Sequence, residues 1–512
     1  MHPASGLELA LDRRYFARLD RIPLLQPAPG ARSTRRKIHS VYFDTPRLRL
    51  RRHGLVLRMR RARRGWLQTI GPAGRSVAIK PLRMKLTQRL VAGPAPDLDA
   101  IPGTLWDQLL GANAGPRKLK PVFMTDCETT VRPVAMAGAL IEVSIERGWI
   151  RCGKRKEGIC GLYLKLVSGE SWKLFEFARE LRDAVPFVIQ GHSAIERGYA
   201  LRKPGRLAPA KAGPSPLDRQ MSVSDAFCAI AAACITQFQA NQLGMLSSSD
   251  EEFLHQVRVA MRRLRSAVGM FKQALPEPAW AAPLAEIRSL GAVLGPARDW
   301  DVFVTERLPN LVAHFREQPG MAVLERACAQ ARASATARSR RAVRSKRCQN
   351  FLLELSGSVQ ARTWMRGVDV MEREAAEQNV VSFAEALLED RYRQVRSRGR
   401  HIARLSDAKL HRLRIAVKKL RYAAEFFGPL FDPARFRRFR TAATALQEIL
   451  GQINDAAVAN GMLENLSGGR SQRTLAHVRA LVAGWNRHEV HRCKGELVQA
   501  WSRFRNASAF WR

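Results

Sequence analysis

Apolar and polar side chains alternate in short runs along the first two hundred residues, a pattern that predicts β-strands. Residues 37–43 are rich in β-branched and aromatic side chains, and residues 141–146 place three apolar side chains opposite two carboxylates. Residues 55–60 alternate in the same way, with Arg58 and Arg60 on one face. Because successive side chains on a strand point to opposite faces, each alternating run predicts a strand that is buried on one side.

The apolar period changes to that of an α-helix in the second part of the chain. One apolar stripe runs along residues 254–271 and another along residues 410–427, with apolar side chains mostly three or four positions apart. A stretch rich in proline, glycine and alanine separates the two regions and is typical of a linker. We therefore expect a strand-rich segment over residues 1–202, a linker over 203–222 and helices over 223–512.

The helical region contains a basic motif that occurs twice, 156 positions apart. The motif consists of a histidine, an arginine, two adjacent basic residues and a final arginine. Its two copies are His255, Arg258, Arg262, Arg263 and Arg265, and His411, Arg414, Lys418, Lys419 and Arg421. A second motif, which contains Asp299, returns around Asp455 at the same offset. Two motifs that share one offset indicate a duplicated unit, with halves of about 223–378 and 379–512.

Each copy of the basic motif predicts a row of cations along one side of a helix. Positions three and four apart lie on the same side, so the residues from His255 to Arg265 form a row beside the apolar stripe. Like charges at this spacing destabilise a helix unless an anion compensates them. The planar guanidinium suits bidentate contacts to phosphate, and histidine adds a donor or a pH-sensitive charge. A solvated helix face is the alternative, and two copies in register disfavour it.

Structural roles are favoured for three residues close to these rows. Asp299 and Asp455 are each expected to pair with an arginine of their own bundle rather than to act in catalysis. His411 is flanked by Leu410 and Leu413, which favours packing in the core over a role as a donor.

Composition narrows the partner to a polyanion. The 512 residues include 86 Lys and Arg against 45 Asp and Glu, a formal net charge of +41, and 46% of them are hydrophobic. Such a chain can build cores, but its charge disfavours compactness unless a polyanion neutralises it. Nucleic acid, polyphosphate and an anionic membrane surface are the candidates. A general basic bias of the genome is the alternative explanation of the charge.

Cysteine usage and apolar segments bear on the compartment. The eight cysteines include no C-x-x-C pair, which disfavours a zinc ribbon and fits a reducing compartment. No apolar region precedes Arg13 and Arg14 as it would in a signal peptide. No stretch approaches the ~18 apolar residues that a membrane span needs. We therefore expect a cytoplasmic protein without a membrane span.

The helical region resembles the CHAD domain, a conserved-histidine α-helical domain, over about residues 223–512. The two basic helices carry the resemblance, together with the Leu-Gly-x-x-Arg-Asp-x-Asp segment from Leu294 to Asp301. The resemblance implies two pseudo-symmetric four-helix bundles that bind inorganic polyphosphate along a basic groove between them. In the second copy, Ala457 replaces Asp301 and Asn454 replaces the arginine of that segment.

The strand-rich region resembles the CYTH, or triphosphate tunnel, family. The landmarks read Tyr-Phe-Asp-Thr-Pro-Arg from Tyr42, Gly-Trp-Leu-Gln-Thr from Gly65, Ile-Glu-Val from Ile141 and Ser-x-x-Glu-Arg-Gly-Tyr from Ser193. The resemblance implies an antiparallel β-barrel whose tunnel holds triphosphate between arginine and lysine side chains, with glutamates that bind Mg²⁺ or Mn²⁺ for hydrolysis. The expected fold is therefore a multidomain α+β protein, with an N-terminal β-barrel and a C-terminal all-α domain of two helical bundles.

Many acids and lysines of that family's tunnel are missing here. The opening Glu-x-Glu-x-Lys motif reads Gly-Leu-Glu-Leu-Ala from Gly6, and the late Glu-x-Glu-x-Glu strand reads Gly-Leu-Tyr-Leu-Lys up to Lys165. Two further lysine positions hold Gly71 and Ala194. The remaining candidates are Glu8, Glu142 and Glu146 for a metal ion, and Arg58, Arg60 and Arg197 for phosphate.

These losses predict a decayed triphosphatase that at most binds phosphate weakly. Hydrolysis of a phosphoanhydride needs a metal ion to neutralise charge and a carboxylate to position water. Glu8 and Glu142 could still supply the carboxylates that Mg²⁺ needs. A lysine at a metal-ligand position nevertheless disfavours a cation. No cofactor is expected, and Mg²⁺ or Mn²⁺ would be bound only if the domain were active.

The sequence favours a non-catalytic protein that binds inorganic polyphosphate and lies on polyphosphate granules, with triphosphate as a second candidate ligand. Two alternatives remain open. One is a metal-dependent triphosphatase or polyphosphatase that acts in the CYTH tunnel. The other is nonspecific nucleic-acid binding, which the net charge allows. Single-strand binders add aromatic stacking platforms, however, and Tyr422 is the only aromatic neighbour within these cation rows.

Overall fold

A computed structural model describes most of the chain as two compact units. The described residues are 6–72, 87–99, 119–202, 208–272, 274, 277–365, 367–466 and 472–512. The units are Met1–Pro209 and Ala210–Arg512.

One antiparallel sheet forms the framework of the N-terminal unit. Its strands are β1 (Gly6–Leu11), β2 (Thr34–Asp44), β3 (Leu55–Arg61), β4 (Trp66–Pro72), β5 (Thr87–Val91), β6 (Lys120–Met136), β7 (Ala139–Cys152), β8 (Arg155–Gly169) and β9 (Phe187–Ile189). Within the described residues their order is β5-β4-β3-β2-β6-β7-β8-β1-β9. Neighbouring strands pair antiparallel throughout, which confirms the predicted class of this unit.

Within the described residues, three α-helices accompany the sheet, and the last of them packs against its strands. They are α1 (Arg49–Arg52), α2 (Lys173–Ala184) and α3 (Ala194–Arg202). Tyr199 of α3 lies edge-on against Phe123, which stacks on Tyr42 with ring centroids 4.3 Å apart. The Tyr199 hydroxyl donates to Asp44 Oδ2 at 3.2 Å. This aromatic cluster anchors α3 to β2 and β6.

The second unit is helical, as predicted. Its helices are α4 (Val223–Ser247), α5 (Glu251–Phe271), α6 (Glu277–Val302), α7 (Leu308–His314), α8 (Met321–Arg344), α9 (Lys346–Ala361), α10 (Val370–Glu377), α11 (Val380–Arg398), α12 (Asp407–Phe427), α13 (Pro433–Glu464) and α14 (Gln472–Asn506). The bounds of α5 and α12 differ by 156 at both ends, the same offset as the repeated motifs. A π-helical segment, Phe303–Arg307, separates α6 from α7, whereas the corresponding part of α13 is continuous.

Reciprocal contacts join the two halves of the helical unit. The Val223 N–H donates to the Gln378 carbonyl and the Val380 N–H donates to the Met221 carbonyl, both at 3.0 Å. These hydrogen bonds pair the starts of α4 and α11. At the ends of α5 and α12, the rings of Phe271 and Phe427, which are 156 positions apart, have centroids 5.9 Å apart. Contacts between equivalent positions are what a local pseudo-twofold axis produces.

Helix α4 has a composition that the sequence analysis did not anticipate. It has the length and the mean hydropathy, 1.3, of a membrane-spanning helix, so the expectation that no segment reaches this composition was wrong. In the structure 72% of its apolar window is buried inside the unit. Its buried amides are hydrogen-bonded, since Gln237 Nε2 donates to Gln256 of α5 at 2.8 Å and Asn241 Nδ2 donates to the Ala210 carbonyl at 2.9 Å. Helix α4 is thus the central core helix of this unit.

Candidate anion-binding cleft

Helices α5 and α12 lie side by side, and their basic rows flank a cleft of about 510 Å³. Among the described residues that line it, eight pairs are related by the offset of 156 positions. The pairs are His255 and His411, Arg258 and Arg414, Arg262 and Lys418, Arg298 and Asn454, Asp299 and Asp455, Val302 and Val458, Phe303 and Ala459, and Glu306 and Met462. The two halves therefore contribute equivalent residues to one shared cleft.

Contacts between the helices keep the rows in register. The Arg262 guanidinium lies 5.6 Å from the ring centre of Tyr422, and that of Arg263 lies 5.0 Å from the ring centre of Phe426. Cation–π contacts of this kind stabilise a pair by about 0.5–2 kcal/mol. Each of them joins α5 to α12, so Arg262, which borders the cleft, and its neighbour Arg263 hold the two walls together.

Acidic residues of α6 and α13 orient two of the arginines. Arg258 Nη1 lies 3.2 Å from Asp299 Oδ1, and Arg414 Nη2 lies 3.8 Å from Asp455 Oδ1. These contacts confirm the predicted pairing within each half. Burial raises the pKa of Asp299, and Asp455 raises it further. The two carboxylates therefore position arginines across a cleft in which positive charge still predominates.

Positive charge is crowded on the two rows. Burial, followed by the charges of Arg414 and Arg262, lowers the pKa of Lys418 to about 7. Burial and the charge of Arg298 lower the pKa of His255 to about 4, so this imidazole is neutral at neutral pH. Burial also lowers the pKa of Arg262 and of Arg414. Partly buried cations on two neighbouring helices repel one another. An anion bound between them would reduce this repulsion.

The position of His411 differs from the expectation. His411 is exposed, and its Nδ1 lies 3.0 Å from Asn454 Oδ1 in the cleft wall. The prediction that it packs in the core is wrong, although its neighbours Leu410 and Leu413 are indeed buried. Adjacent residues on a helix are about 100° apart, so a residue between two core positions can still face the solvent side.

Four residues of the basic motifs lie outside this cleft. Arg263 and Arg421 line an adjoining cavity of about 570 Å³, where Arg421 Nε donates to Gln447 Oε1 at 2.6 Å. Arg265 and Lys419 are exposed and do not line the cleft. Burial lowers the pKa of Lys419, and the charges of Arg391, Arg398 and Arg265 lower it further. The structure thus divides the predicted rows into cleft residues, residues of the adjoining cavity and exposed residues.

In the N-terminal unit, strand register places the residual tunnel residues on one face of the sheet. Arg60 pairs with Ser40 across β3 and β2, and Arg58 pairs with Tyr42. Cross-strand neighbours continue this face through β6 to Glu146 and Glu142 on β7 and then to Glu8 on β1. Cross-strand partners point to the same side, so five of the six candidate residues, all except Arg197, share a face.

The carboxylates on this face do not fit a divalent cation. Lys165 of β8 pairs with Glu142 of β7, and its Nζ lies 4.0 Å from Glu142 Oε1. Tyr163 lies beside Glu8 in the strand register. Burial raises the pKa of Glu146, which disfavours its charged form. Among the described residues, no group of three or more His, Cys, Asp or Glu side chains has the arrangement of a metal site.

Arg197 has a structural role in this unit. It is 6% exposed, and its Nε donates to Glu157 Oε1 at 2.6 Å. Its Nη2 donates to the Gly158 carbonyl at 2.5 Å. These contacts brace α3 against β8. Arg58 and Arg60 are the remaining candidates for phosphate, and both lie on the sheet face.

Family models match both units. A model of the CYTH domain matches residues 18–199, and a model of the CHAD domain matches residues 229–464. The chain is a CYTH–CHAD protein.

One solved structure agrees with the CHAD assignment, and two others are similar at lower TM-scores. The chain is similar to the CHAD domain from the plant Ricinus communis at 28% identity and a TM-score of 0.52, over 59% of this chain and 98% of that one. It is similar to PptA from Streptomyces chartreusis at 18% identity and a TM-score of 0.44, over 55% and 100%. It is also similar to HpAC1 from Hippeastrum, described by a dominant triphosphatase activity, at 13% identity and a TM-score of 0.27, over 40% and 97%. With TM-scores below 0.5, the last two add no support for a function.

The CHAD cleft also contains residues that the sequence analysis did not select. Arg298 belongs to the repeated Leu-Gly segment, whose offset could have pointed to it. Arg307 ends the π-helical segment, and its Nη1 lies 3.3 Å from Asn486 Oδ1 of α14. No repeat marks Arg307, and the change of helical period that directs it into the cleft becomes visible only in the structure. Such π-helical insertions often occur at functional sites.

Proposed function

We propose that this CYTH–CHAD protein binds inorganic polyphosphate in the CHAD cleft. The observation that carries the proposal is the pairing of equivalent residues from both halves around one cleft. A polymer of identical phosphate groups suits a site whose two walls repeat the same side chains. Arginines on both walls can each bind phosphate oxygens with two parallel N–H donors.

Charge in the cleft supports an anionic ligand of this kind. Six Lys and Arg side chains line it against three carboxylates, among the residues that the structure describes. Burial and, after it, repulsion from neighbouring cations lower the pKa of Lys418 and of Arg262, and a bound anion would offset both effects. A protein with this site would associate with polyphosphate granules in the cytoplasm.

The CYTH domain has no catalytic part in this proposal. Lys165 supplies an ammonium group next to Glu142, where a cation would have to be bound. We infer that the domain serves as a scaffold or an accessory anchor, and that Arg58 and Arg60 bind phosphate weakly at most.

The proposal is tested by titrating the full chain with long-chain polyphosphate and with double-stranded DNA at several salt concentrations. Both affinities are expected to fall with salt, because each neutralised phosphate releases counterions. At one fixed salt concentration, polyphosphate is expected to displace DNA, since the cleft and not the overall charge forms the site. If DNA displaced polyphosphate instead, the result would favour nonspecific nucleic-acid binding.

A second assay separates binding from hydrolysis. The full chain with triphosphate or polyphosphate and Mg²⁺ or Mn²⁺ is expected to release no phosphate at ordinary enzymatic rates. Turnover on the order of 1 s⁻¹ or faster would establish the triphosphatase alternative instead.

A further inference from the structure

A second pocket, of about 260 Å³, adjoins the cleft in the second half of the CHAD domain. His411, Arg414 and Asn454 line both spaces, so a ligand in one could extend into the other. Its remaining lining includes apolar residues of α12, α13 and α14, together with Asn460 and Arg487. Its lining therefore contains both apolar and polar side chains, whereas the lining of the adjoining cleft is mainly cationic. We call it the side pocket.

The first half contains bulky residues at the positions that form the side pocket in the second. Ala456 and Ala457 line the side pocket, and the residues 156 positions earlier are Trp300 and Asp301. Trp300 is 8% exposed, so its indole fills the interior of the first half. Two alanines at the corresponding places remove an aromatic ring and a carboxylate, which leaves room in the second half.

In the first half, ion pairs link the residues that stand where the side pocket lies in the second half. Arg332 Nε lies 2.7 Å from Asp301 Oδ1, and Arg332 Nη2 lies 2.6 Å from Glu251 Oε2. The residue equivalent to Glu251 in the second half is Asp407, which lines the side pocket and contacts Lys494 instead. The side pocket is thus a specific departure from the symmetry that relates the walls of the cleft.

The chemistry of the side pocket does not suit another phosphate. Leu450, Ile453 and Val490 contribute apolar surface, and the side pocket is also lined by Asp407, whose carboxylate disfavours an anion. Amide groups of asparagine can donate to and accept from the edge of a nucleobase, and a guanidinium plane such as that of Arg487 can stack on its face. The volume is below the ~300–1,000 Å³ of pockets for drug-sized ligands, which fits a single base rather than a larger group.

We propose that the CHAD domain also binds nucleoside polyphosphates, with the phosphates in the cleft between α5 and α12 and the base in the side pocket. The position of the phosphates rests on the proposed polyphosphate site. The base distinguishes this ligand from inorganic polyphosphate. Among the described residues, the side pocket that would hold it lies in the second half, where Ala456 and Ala457 replace Trp300 and Asp301.

The experiment compares ATP with tripolyphosphate, which carries the same number of phosphates and no nucleoside. Each is titrated into the full chain at fixed salt, and each competes with labelled long-chain polyphosphate. ATP is expected to bind about tenfold more tightly than tripolyphosphate, a difference of about 1.4 kcal/mol. Equal affinity of the two ligands would overturn the proposal.

A variant that restores the bulk of the first half is the matched test. Ala456→Trp places in the side pocket the residue that the first half has at the equivalent position. It is expected to abolish the preference for ATP while the affinities for tripolyphosphate and long-chain polyphosphate change by no more than about twofold. A preference for ATP that survives this substitution would also overturn the proposal.

Polyphosphate binding by the same variant reports whether the fold is intact. If Ala456→Trp loses polyphosphate as well, the smaller Ala456→Leu takes its place, with the same expected results. Wild-type protein that binds no polyphosphate would refute the proposed function itself. Wild-type protein that binds polyphosphate but does not prefer ATP would refute only the nucleoside site.

Discussion

Lys418 connects the binding of an anion to the uptake of a proton. Its ammonium is half-buried. Burial and the charges of Arg414, Arg262 and Arg258, opposed by Asp455, together lower its pKa to about 7. In the free protein this side chain is therefore largely neutral above that pH. A bound anion stabilises the charged form and raises the pKa, so binding above neutral pH must take up a proton.

We predict that the affinity for polyphosphate falls as the pH rises from about 7 to about 9. The Lys418→Arg variant, which stays charged throughout this range, is expected to show a much flatter profile. Affinity measured by titration calorimetry at several pH values, in buffers with different ionisation enthalpies, gives both the slope and the proton uptake. A wild-type profile as flat as that of the variant would exclude Lys418 as the coupled group.

Lys165 opposes metal binding on the carboxylate-bearing sheet face of the CYTH domain. Its Nζ lies 4.0 Å from Glu142 Oε1, and Glu142 and Glu8 lie on the same sheet face. We predict that Lys165→Glu binds Mn²⁺ more tightly than wild type by about tenfold or more, because a repulsive charge becomes a ligand.

The control for this prediction is Lys165→Ala, which removes the charge without adding a ligand. It is expected to give a smaller increase, and Mn²⁺ binding can be followed by electron paramagnetic resonance. Identical, undetectable binding in all three proteins would show that the carboxylates of β1 and β7 do not form a latent site.

At the scale of the helix, the close approach of α4 and α5 depends on a glycine. A Cβ atom at Gly244 of α4 would lie 2.2 Å from the ring of Phe253, which is buried in α5. At Gly269 of α5, by contrast, a Cβ atom would meet nothing within 4 Å. Both residues lie inside helices, so the cost of glycine to the helix is similar at the two positions.

The two glycines therefore predict opposite effects of one substitution. Gly269→Ala is expected to stabilise the helical unit by about 0.5–1 kcal/mol, because alanine is the better helix former. Gly244→Ala is expected to destabilise it by about 1–3 kcal/mol, because the Phe253 ring must move. Denaturant unfolding followed by the helical signal compares them, and a stabilising Gly244→Ala would contradict the packing of α4 on α5.

Much of the helical architecture could be predicted from the sequence, because the sequence motifs repeat at the same offset as the helices. The offset of 156 that relates His255 to His411 also relates the ends of α5 to those of α12. A linear offset does not reveal which sides of the two helices face each other. It therefore grouped Arg262, which lines the cleft, with Arg265, which is exposed away from it.

The errors have a common physical origin in tertiary contacts. Helix α4 has the composition of a membrane span, but its buried amides are hydrogen-bonded within the unit, and no local pattern records that. The partner of Arg197 is Glu157, 40 positions away, so its structural role was invisible in a motif. Arg307 enters the cleft through a π-helical segment that breaks the repeat.

At the scale of the whole chain, many of the positive charges are engaged in internal contacts, so the net charge overstates what is available to a ligand. The formal charge of +41 applies to all 512 residues, but many basic side chains have internal partners. Arg347, for example, makes a bidentate contact with Glu286, and Arg340 donates to backbone carbonyls of Met245 and Ser248. The cleft is distinguished from the rest of the surface by its crowding of partly buried cations from two halves, rather than by charge alone.

A comparison of two paired variants measures whether the cleft or the overall charge binds polyphosphate. Arg262→Ala with Lys418→Ala removes two equivalent cations from the cleft walls. Arg265→Ala with Lys419→Ala removes one cation from each basic motif, at positions that are not equivalent in the repeat and that are both exposed and outside the cleft. Both pairs lower the formal net charge by two. Titration of each with polyphosphate at one salt concentration, below the pKa of Lys418, therefore compares the effect of position.

The first pair is expected to weaken polyphosphate binding by on the order of 100-fold, because charge-assisted hydrogen bonds contribute about 1.5–3 kcal/mol each. The second pair is expected to change it by no more than about threefold. Equal weakening by the two pairs, or no weakening by the first, would contradict a polyphosphate site between α5 and α12.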